Sequence, residues 1–278
     1  MIYHNFDEFK ESVISAGQKK RCGIVMATEQ HILDAAEEAE AQGLIEPVFI
    51  NHTDPEEAME QAVAMVHSGE VDILMKGLLS TAQFMHAIVK RDNGLRTGSL
   101  IQMLTLRQLP NYHKLIGMTD TGICEAPSLE QKKELIQNAV NAMTDMGFDA
   151  PKVACLSAAE TVNSRMISST DAAELKKMWQ DGQITGCTVE GPISIDLALS
   201  AESAAVKGYE SPVAGDADLL LFPELASANI AGKLLAHVTG MPAGILILGA
   251  KIPVIVSSRA ASVETKVLSI AMAAAKTT

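Results

Sequence analysis

"CGIVMATEQHILDAAEEAEAQGLIEPVFI", residues 22–50, holds one complete alternation of chain structure. "CGIVMA" (22–27) is a short apolar run with the composition of a buried strand. "TEQHILDAAEEAEAQG" follows with helical periodicity and stops at Gly43, a residue suited to the C′ position of a helix. "PVFI" (47–50) is the next strand. Two strands joined by a helix of this length form a parallel pair, since a hairpin would need only a tight turn.

The same alternation extends in both directions. Asp54 caps a further helix with Pro55 at its first position, Glu56 and Glu57 in its first turn and Gly69 at its end. "VDILMKG" (71–77) reads as a strand. Others are expected at 99–106, 114–120, 152–158, 186–191, 217–223, 244–250 and 253–258, with helices over 128–146, 170–181, 200–207, 227–239 and 260–275. Continuously apolar strands separated by helices predict an α/β protein whose mainly parallel sheets are covered on both faces.

A chain of 278 residues has room for two lobes. The polar turn "RQLPNYHK" (107–114) is the best boundary. The expected division is 1–110 plus 248–278 as a first α/β lobe, with 111–247 inserted as a second.

Composition narrows the function. Lys and Arg number 22 against 34 Asp and Glu, a formal charge of −12, which argues against nucleic acid and anionic membranes as partners. An anionic small substrate would need a locally positive pocket of a few basic side chains and helix N-termini. Mean hydropathy is +0.16, yet no run of about 18 apolar residues occurs. The opening "MIYHNFDEFKESV" is acidic and amphipathic, unlike a signal peptide, so a cytoplasmic protein is expected. Cys22, Cys124, Cys155 and Cys187 are scattered without a C-x-x-C pair and read as reduced core residues.

No G-x-G-x-x-G opens a helix after a strand, and no G-x-x-x-x-G-K-[ST], G-x-S-x-G or H-E-x-x-H occurs. Dinucleotide-fingerprint dehydrogenases, Walker NTPases and two common hydrolase classes therefore lose ground. Ligands of parallel sheets bind where strands end and helices begin, which directs attention to five polar loops. "MKGLLSTAQFMH" carries Lys76 and Gly77 at a strand end and Ser80 or Thr81 as a helix cap. "NGLRTGS" brackets Arg96 with Gly94 and Gly98. "MTDTGICEAPS" leaves a strand through Asp120, Thr121 and Gly122. "SPVAGDADLLLFP" with "ELASANIAGKL" supplies Asp216, Asp218, Ser227 and Asn229. Each also has a plain reading as a cap, turn or surface residue.

The fifth loop, "VIVSSRAASVETK" (254–266), is the most pointed. Ser257 and Ser258 offer hydroxyls and N–H groups at a helix N-terminus, where Arg259 adds a guanidinium able to hold phosphate in bidentate fashion. A cation at the positive end of a helix is locally unfavourable, and an anion would relieve it.

Together and in this order, "KGLLSTAQF", "GLRTGSLI", "TDTGICEAPSLEQKKELIQNAV", "PKVACLSA", "GQITGCTVEGP", "SPVAGDADLLLFPELASANIAGKLL" and "SSRAASVETK" resemble the phosphate acyltransferase family over nearly the whole chain. The likeness is greater to its butyryl and branched-chain members than to the longer acetyl enzymes. It implies transfer of an acyl group between coenzyme A and inorganic phosphate, with CoA as a substrate and neither a prosthetic group nor a metal. It also implies two lobes like those of the isocitrate and isopropylmalate dehydrogenases, with the active site in the cleft between them, and a homo-oligomer, a dimer or larger. By the same resemblance Ser258 and Arg259 lie at the reaction centre. Lys76, Ser80, Thr81, His86, Arg96, Thr121, Asp216 and Asn229 are the expected substrate-binding residues.

Four positions depart from the family pattern. His86 stands where relatives carry an arginine thought to bind phosphate, and Ala261 where butyryl-type relatives have Asp. Gln102 or its neighbour replaces a histidine. The acetyl enzymes' presumed base, an aspartate, matches a position close to Thr265, so Glu264, one residue earlier, is the expected base toward the CoA thiol, although one step along a helix rotates a side chain by about 100°. Ionising a thiol of pKa about 8.5 at pH 7 costs roughly 2 kcal/mol, whereas bringing two reactants into attack geometry contributes about 7–11 kcal/mol. Cations and positioning should outweigh the base.

A competing reading is a non-catalytic or degenerate CoA or acyl-phosphate binding protein. A decarboxylating dehydrogenase would need a carboxylate cluster and a nicotinamide site, and neither signature is found. The apolar C-terminal helix "VLSIAMAAA" suits a subunit interface or the core equally.

Overall fold

The computed structural model describes residues 1–17 and 19–275. In chain order, α1 (Phe6–Ser15), β1 (Lys20–Val25), α2 (Gln30–Ala41), β2 (Ile45–Ile50), α3 (Pro55–His67), β3 (Ile73–Lys76) and α4 (Thr81–Val89) lead to β4 (Gln102–Arg107) and β5 (Ile116–Thr119). Then come α5 (Leu129–Asp145), β6 (Lys152–Leu156), α6 (Ile167–Gln180), β7 (Thr188–Ile193), α7 (Ile195–Leu199), α8 (Ala201–Val206), β8 (Leu219–Leu221) and α9 (Leu225–Thr239). β9 (Ala243–Leu248), β10 (Val254–Ile255) and α10 (Val263–Ala275) close the order. None of the helices among the described residues is long and apolar enough to cross a membrane.

The chain divides into two compact units. One, the flanking unit, comprises Asn5–Ile101 and Pro242–Thr278; the other, the central unit, comprises Met1–His4 and Gln102–Met241. Each is an α/β unit with a mostly parallel sheet.

In the flanking unit the strands run β2-β1-β3-β10-β9, parallel throughout except for β10 against β9. Cys22 stands opposite Pro47 and Val25 opposite Ile50, the parallel pair that the alternation over 22–50 requires. Asp54 accepts from the N–H of Glu56 at 2.9 Å ahead of Pro55. Ser80 and Gln83 form a capping box that starts α4. α10 is buried continuously from Lys266 to Ala274 and packs on β9 and α2. Its face is closely fitted, since a Cβ added at Gly244 would come within 2.4 Å of the Met272 sulfur. Of the two places open to this helix, it occupies the core.

In the central unit the order is β4-β5-β8-β6-β7, parallel except for β4 against β5. Ile116, Met118, Ile193, Leu197, Leu220 and Phe222 belong to one buried cluster. Ser128 and Gln131 form a second capping box at the head of α5.

Two elements differ from expectation. α7 is a short helix that periodicity does not announce; it forms because Leu197 and Ala198 are fully buried, so tertiary packing sets it. The strand expected over 253–258 keeps ladder pairing only at Val254 and Ile255, because the chain then turns, with Ala261 N–H donating to the Ser258 carbonyl at 3.0 Å.

Candidate active site

β1, β3 and β10 are neighbours and parallel, so their carboxyl ends open along one edge of the flanking sheet. Val25 is level with Lys76, and Ile255 with Met75. Loops from distant parts of the chain therefore leave the sheet side by side: Met26–Glu29, Gly77–Ser80 and Ser257–Ser262.

The backbones of the first two loops touch. Gly77 N–H donates to Val25 O at 2.8 Å and Leu78 N–H to Met26 O at 2.7 Å. A Cβ at Gly77 would lie 2.3 Å from the Met26 carbonyl oxygen, so only glycine fits. Met26 itself holds a left-handed conformation, φ 59°, unusual for a residue with a side chain.

Lys76 ends β3 with 5% of its surface exposed. Its ammonium donates to the carbonyls of Gly77 at 3.2 Å and Leu79 at 3.1 Å. Burial lowers its pKa first, the Arg259 charge lowers it further, Glu29 opposes, and Lys266 adds to the depression. The charges that act on Lys76 are thus those of Arg259, Lys266 and Glu29.

Ser258 and Arg259 are exposed on the turn after β10. The Ser258 carbonyl accepts from Ala261 N–H and its hydroxyl from Ala260 N–H at 3.3 Å. Ser262 Oγ then accepts from Thr265 N–H at 3.1 Å and caps α10. Lys266, one turn into that helix, is 2% exposed and donates to the Ala261 carbonyl. Its pKa is lowered by burial against the opposing pull of Glu29. Glu264 stays exposed in the first turn.

The other expected residues of this unit are placed variously. Ser80 is engaged in its capping box, its hydroxyl 2.7 Å from Gln83 Oε1, with Thr81 exposed beside it. His86 is exposed and lines a groove of about 470 Å³ between α3 and α4, with Glu56, Glu60, Gln83 and Lys90 among its neighbours. Arg96 is exposed on a short bridge to Ala250, held by Thr97 N–H donating to Gly249 O at 3.2 Å and Lys251 N–H to Leu95 O at 2.8 Å. Lys76 thus ends β3 while Ser258 and Arg259 follow its parallel neighbour β10, Ser80 and Thr81 come shortly after Lys76 in the chain, and His86 has a different neighbourhood.

In the central unit a second strand-end loop is held by Asp120. Its carboxylate accepts from the backbone N–H groups of Met103, Gly122, Ile123 and Cys124 at 2.7–3.2 Å. Thr121 follows, its hydroxyl 2.8 Å from that of Thr105 and its carbonyl accepting from Asn229 Nδ2 at 3.1 Å. Thr121 and Asn229 therefore meet at the carboxyl end of β5.

Asp216 does not join them. β5 and β8 are parallel, and Asp216 precedes β8, so it lies at the amino edge. There it pairs with His113 at 2.8 Å, with Lys114 at 2.8 Å and with Lys152. Burial disfavours its charge, but hydrogen bonds from Lys114, Lys152 and His113 prevail and hold the carboxyl well below the usual range.

The cysteines form no disulfide, and burial pushes the Cys22 thiol up to about 12 and, with the Asp120 charge adding to it, Cys124 to about 11. Protonated thiols of this kind are poor nucleophiles. Two residues of the flanking edge, Glu29 and Lys266, escape the sequence reading. Lys266 could have been found as a cation within the apolar face of α10.

Residues 52–274 match the family model "Phosphate acetyl/butaryl transferase". The chain is 36% identical over 283 residues to a phosphate acetyltransferase of Thermotoga maritima, covering 94% of this chain and 96% of that one. It is also 36% identical over 293 residues to a phosphate butyryltransferase of Clostridium beijerinckii, covering 97% of each. The crystal structure of a branched-chain phosphotransacylase from Enterococcus faecalis V583 superposes with a TM-score of 0.84 at 29% identity, over 92% of this chain and 98% of the other. A cationic strand edge and a match of this extent lead to one conclusion: the chain belongs to the phosphate acetyl/butyryl transferase family and is a phosphate acyltransferase.

Proposed function

We propose that the chain moves a short or branched acyl group between CoA and inorganic phosphate at the carboxyl end of β3 and β10. A phosphate oxygen attacks the thioester carbonyl, a tetrahedral oxyanion forms, the carbon–sulfur bond breaks, and acyl phosphate and CoA thiolate separate; the reverse reaction retraces these steps. Both reactants are anions, so the transition state concentrates negative charge that must be held away from water.

One observation carries the reading: Lys76 ends β3 and Arg259 follows β10, its parallel neighbour, so two cations leave adjacent strand ends in a protein of net charge −12. In this reading Arg259 clamps phosphate, the Ser258 hydroxyl donates to the acyl oxygen or the sulfur, and Lys76 supplies a fixed, partly dehydrated charge. Glu264, exposed in the first turn of α10, takes the thiol proton through solvent. A homo-oligomer is part of the proposal, and Ile230, Leu234 and Val238, exposed at four-residue spacing on α9, give it a candidate contact face.

The test is direct. Purified protein is mixed with acetyl-, butyryl- or isobutyryl-CoA, and thiol release is followed with and without phosphate. Phosphate-dependent release that is fastest with a four-carbon chain is expected. Binding without release for every acyl-CoA would favour the non-catalytic alternative.

A further inference from the structure

Four lysines are buried among the described residues: Lys76, Lys114, Lys132 and Lys266. The two in the central unit have carboxylates at contact distance, Lys114 with Asp218 at 2.7 Å and Lys132 with Asp171 at 2.6 Å. The two in the flanking unit do not. Lys76 bonds the carbonyls of Gly77 and Leu79, and Lys266 that of Ala261. A carbonyl occupies an ammonium proton without cancelling the charge, and an uncompensated buried charge is unfavourable.

Lys76 ends β3 and Lys266 bonds the turn that follows the neighbouring β10; the charges of Lys266 and Arg259 act on Lys76, and that of Glu29 acts on both lysines. Three cations thus face one acid. The acid is held back from contact, at the head of α2, where its side chain caps nothing. Lys266 also holds the turn from within: its bond to the Ala261 carbonyl and the Ala261 N–H bond to the Ser258 carbonyl together fix the backbone that presents Arg259.

We propose that Lys266, together with Lys76, is an anion-binding residue that receives a phosphate-type dianion at the turn carrying Ser258 and Arg259. The assignment deepens the acyl-transfer reading and rests on it for the identity of the dianion, which is either inorganic phosphate or a phosphate of CoA. It adds a residue outside the serine–arginine pair and gives the paired lysines a division of labour: the central unit neutralises its buried lysines internally, whereas the flanking unit leaves its pair for a ligand.

The test is calorimetric titration of inorganic phosphate alone, and of CoA alone, into the full-length wild type, Lys266→Met, Lys266→Arg and Glu29→Gln, with melting temperatures recorded. Loss of a charge-assisted hydrogen bond corresponds to about 10- to 100-fold in affinity. A loss of that size in Lys266→Met, largely restored in Lys266→Arg, is expected. Weakening confined to phosphate assigns the site to inorganic phosphate, and weakening confined to CoA assigns it to the phosphates of CoA; either supports the receptor. Lys266→Met that melts like wild type and binds both ligands equally well overturns it. If Lys266→Met does not fold, Glu29→Gln decides, because removing the opposing charge must tighten binding of one ligand, and unchanged binding of both overturns the proposal. Binding is read without turnover, so failure of thiol release with every acyl-CoA would strike the acyl-transfer reading alone.

Discussion

Lys114 and Asp218 lie 2.7 Å apart with side chains only 3% and 11% exposed, and the same ammonium also reaches Asp216 at 2.8 Å. An ion pair so dry is sensitive to loss of one partner. Lys114→Met should destabilise the protein by about 3–5 kcal/mol, because the Asp218 carboxylate is left without its ammonium in a poorly solvated place. Urea denaturation measures it, and a loss below about 1 kcal/mol would show the cluster to be well solvated after all.

Asp216 makes the same cluster sensitive to acid. Its carboxyl is held below the usual range in the folded protein, so the unfolded chain takes up a proton there first as pH falls. Its contribution is complete above the unfolded value of about 4, then declines until pH reaches the folded value. Asp216→Asn should be less stable than wild type at pH 7 and should show a shallower fall in stability below about pH 4. Parallel curves for the two proteins in that range would contradict the assignment.

At the flanking edge, charge should outrank proton transfer. Arg259→Ala removes the clamp and should lower turnover by about 10²-fold or more. Glu264→Ala, which deletes an exposed side chain, should cost roughly 30-fold or less, since ionising the thiol at neutral pH is worth only about 2 kcal/mol. Equal losses in the thiol-release assay would reverse the ranking.

Gly77 tests the meeting of the β1 and β3 loops. With 2.3 Å between a new Cβ and the Met26 carbonyl oxygen, Gly77→Ala must push the two strand exits apart. Destabilisation of about 1–3 kcal/mol is expected, with a larger loss of kcat than this alone would give, because Lys76 moves with the loop. A variant with unchanged kcat would show that the edge tolerates displacement.

How much of this was legible beforehand depends on range. The 22–50 unit, the Asp54–Pro55 start and the Ser80 cap are local, written in periodicity and capping chemistry, and the structure places them as read. α7 was not legible because burial of Leu197 and Ala198, and no local signal, forms it. Lys266 stands out locally only as a cation within the apolar face of α10; it is the adjacency of β3 and β10 that sets its turn beside the end of the strand carrying Lys76. Asp216 shows a signal passed over. It precedes its strand, and ligand loops of parallel sheets follow theirs, so its place at the amino edge with Lys114 and Lys152 was available from direction alone.

The flanking unit is assembled from the beginning and the end of the chain, with β10 seated beside β3 and α10 within its interior. During synthesis the first 101 residues must therefore wait on the ribosome with half a sheet, while the central unit has nearly all its sequence and can close first. The segment that completes this sheet also carries Arg259 and Lys266. A chain cut before β10 should thus keep a folded central unit and leave the flanking unit incomplete, sticky and dependent on chaperones.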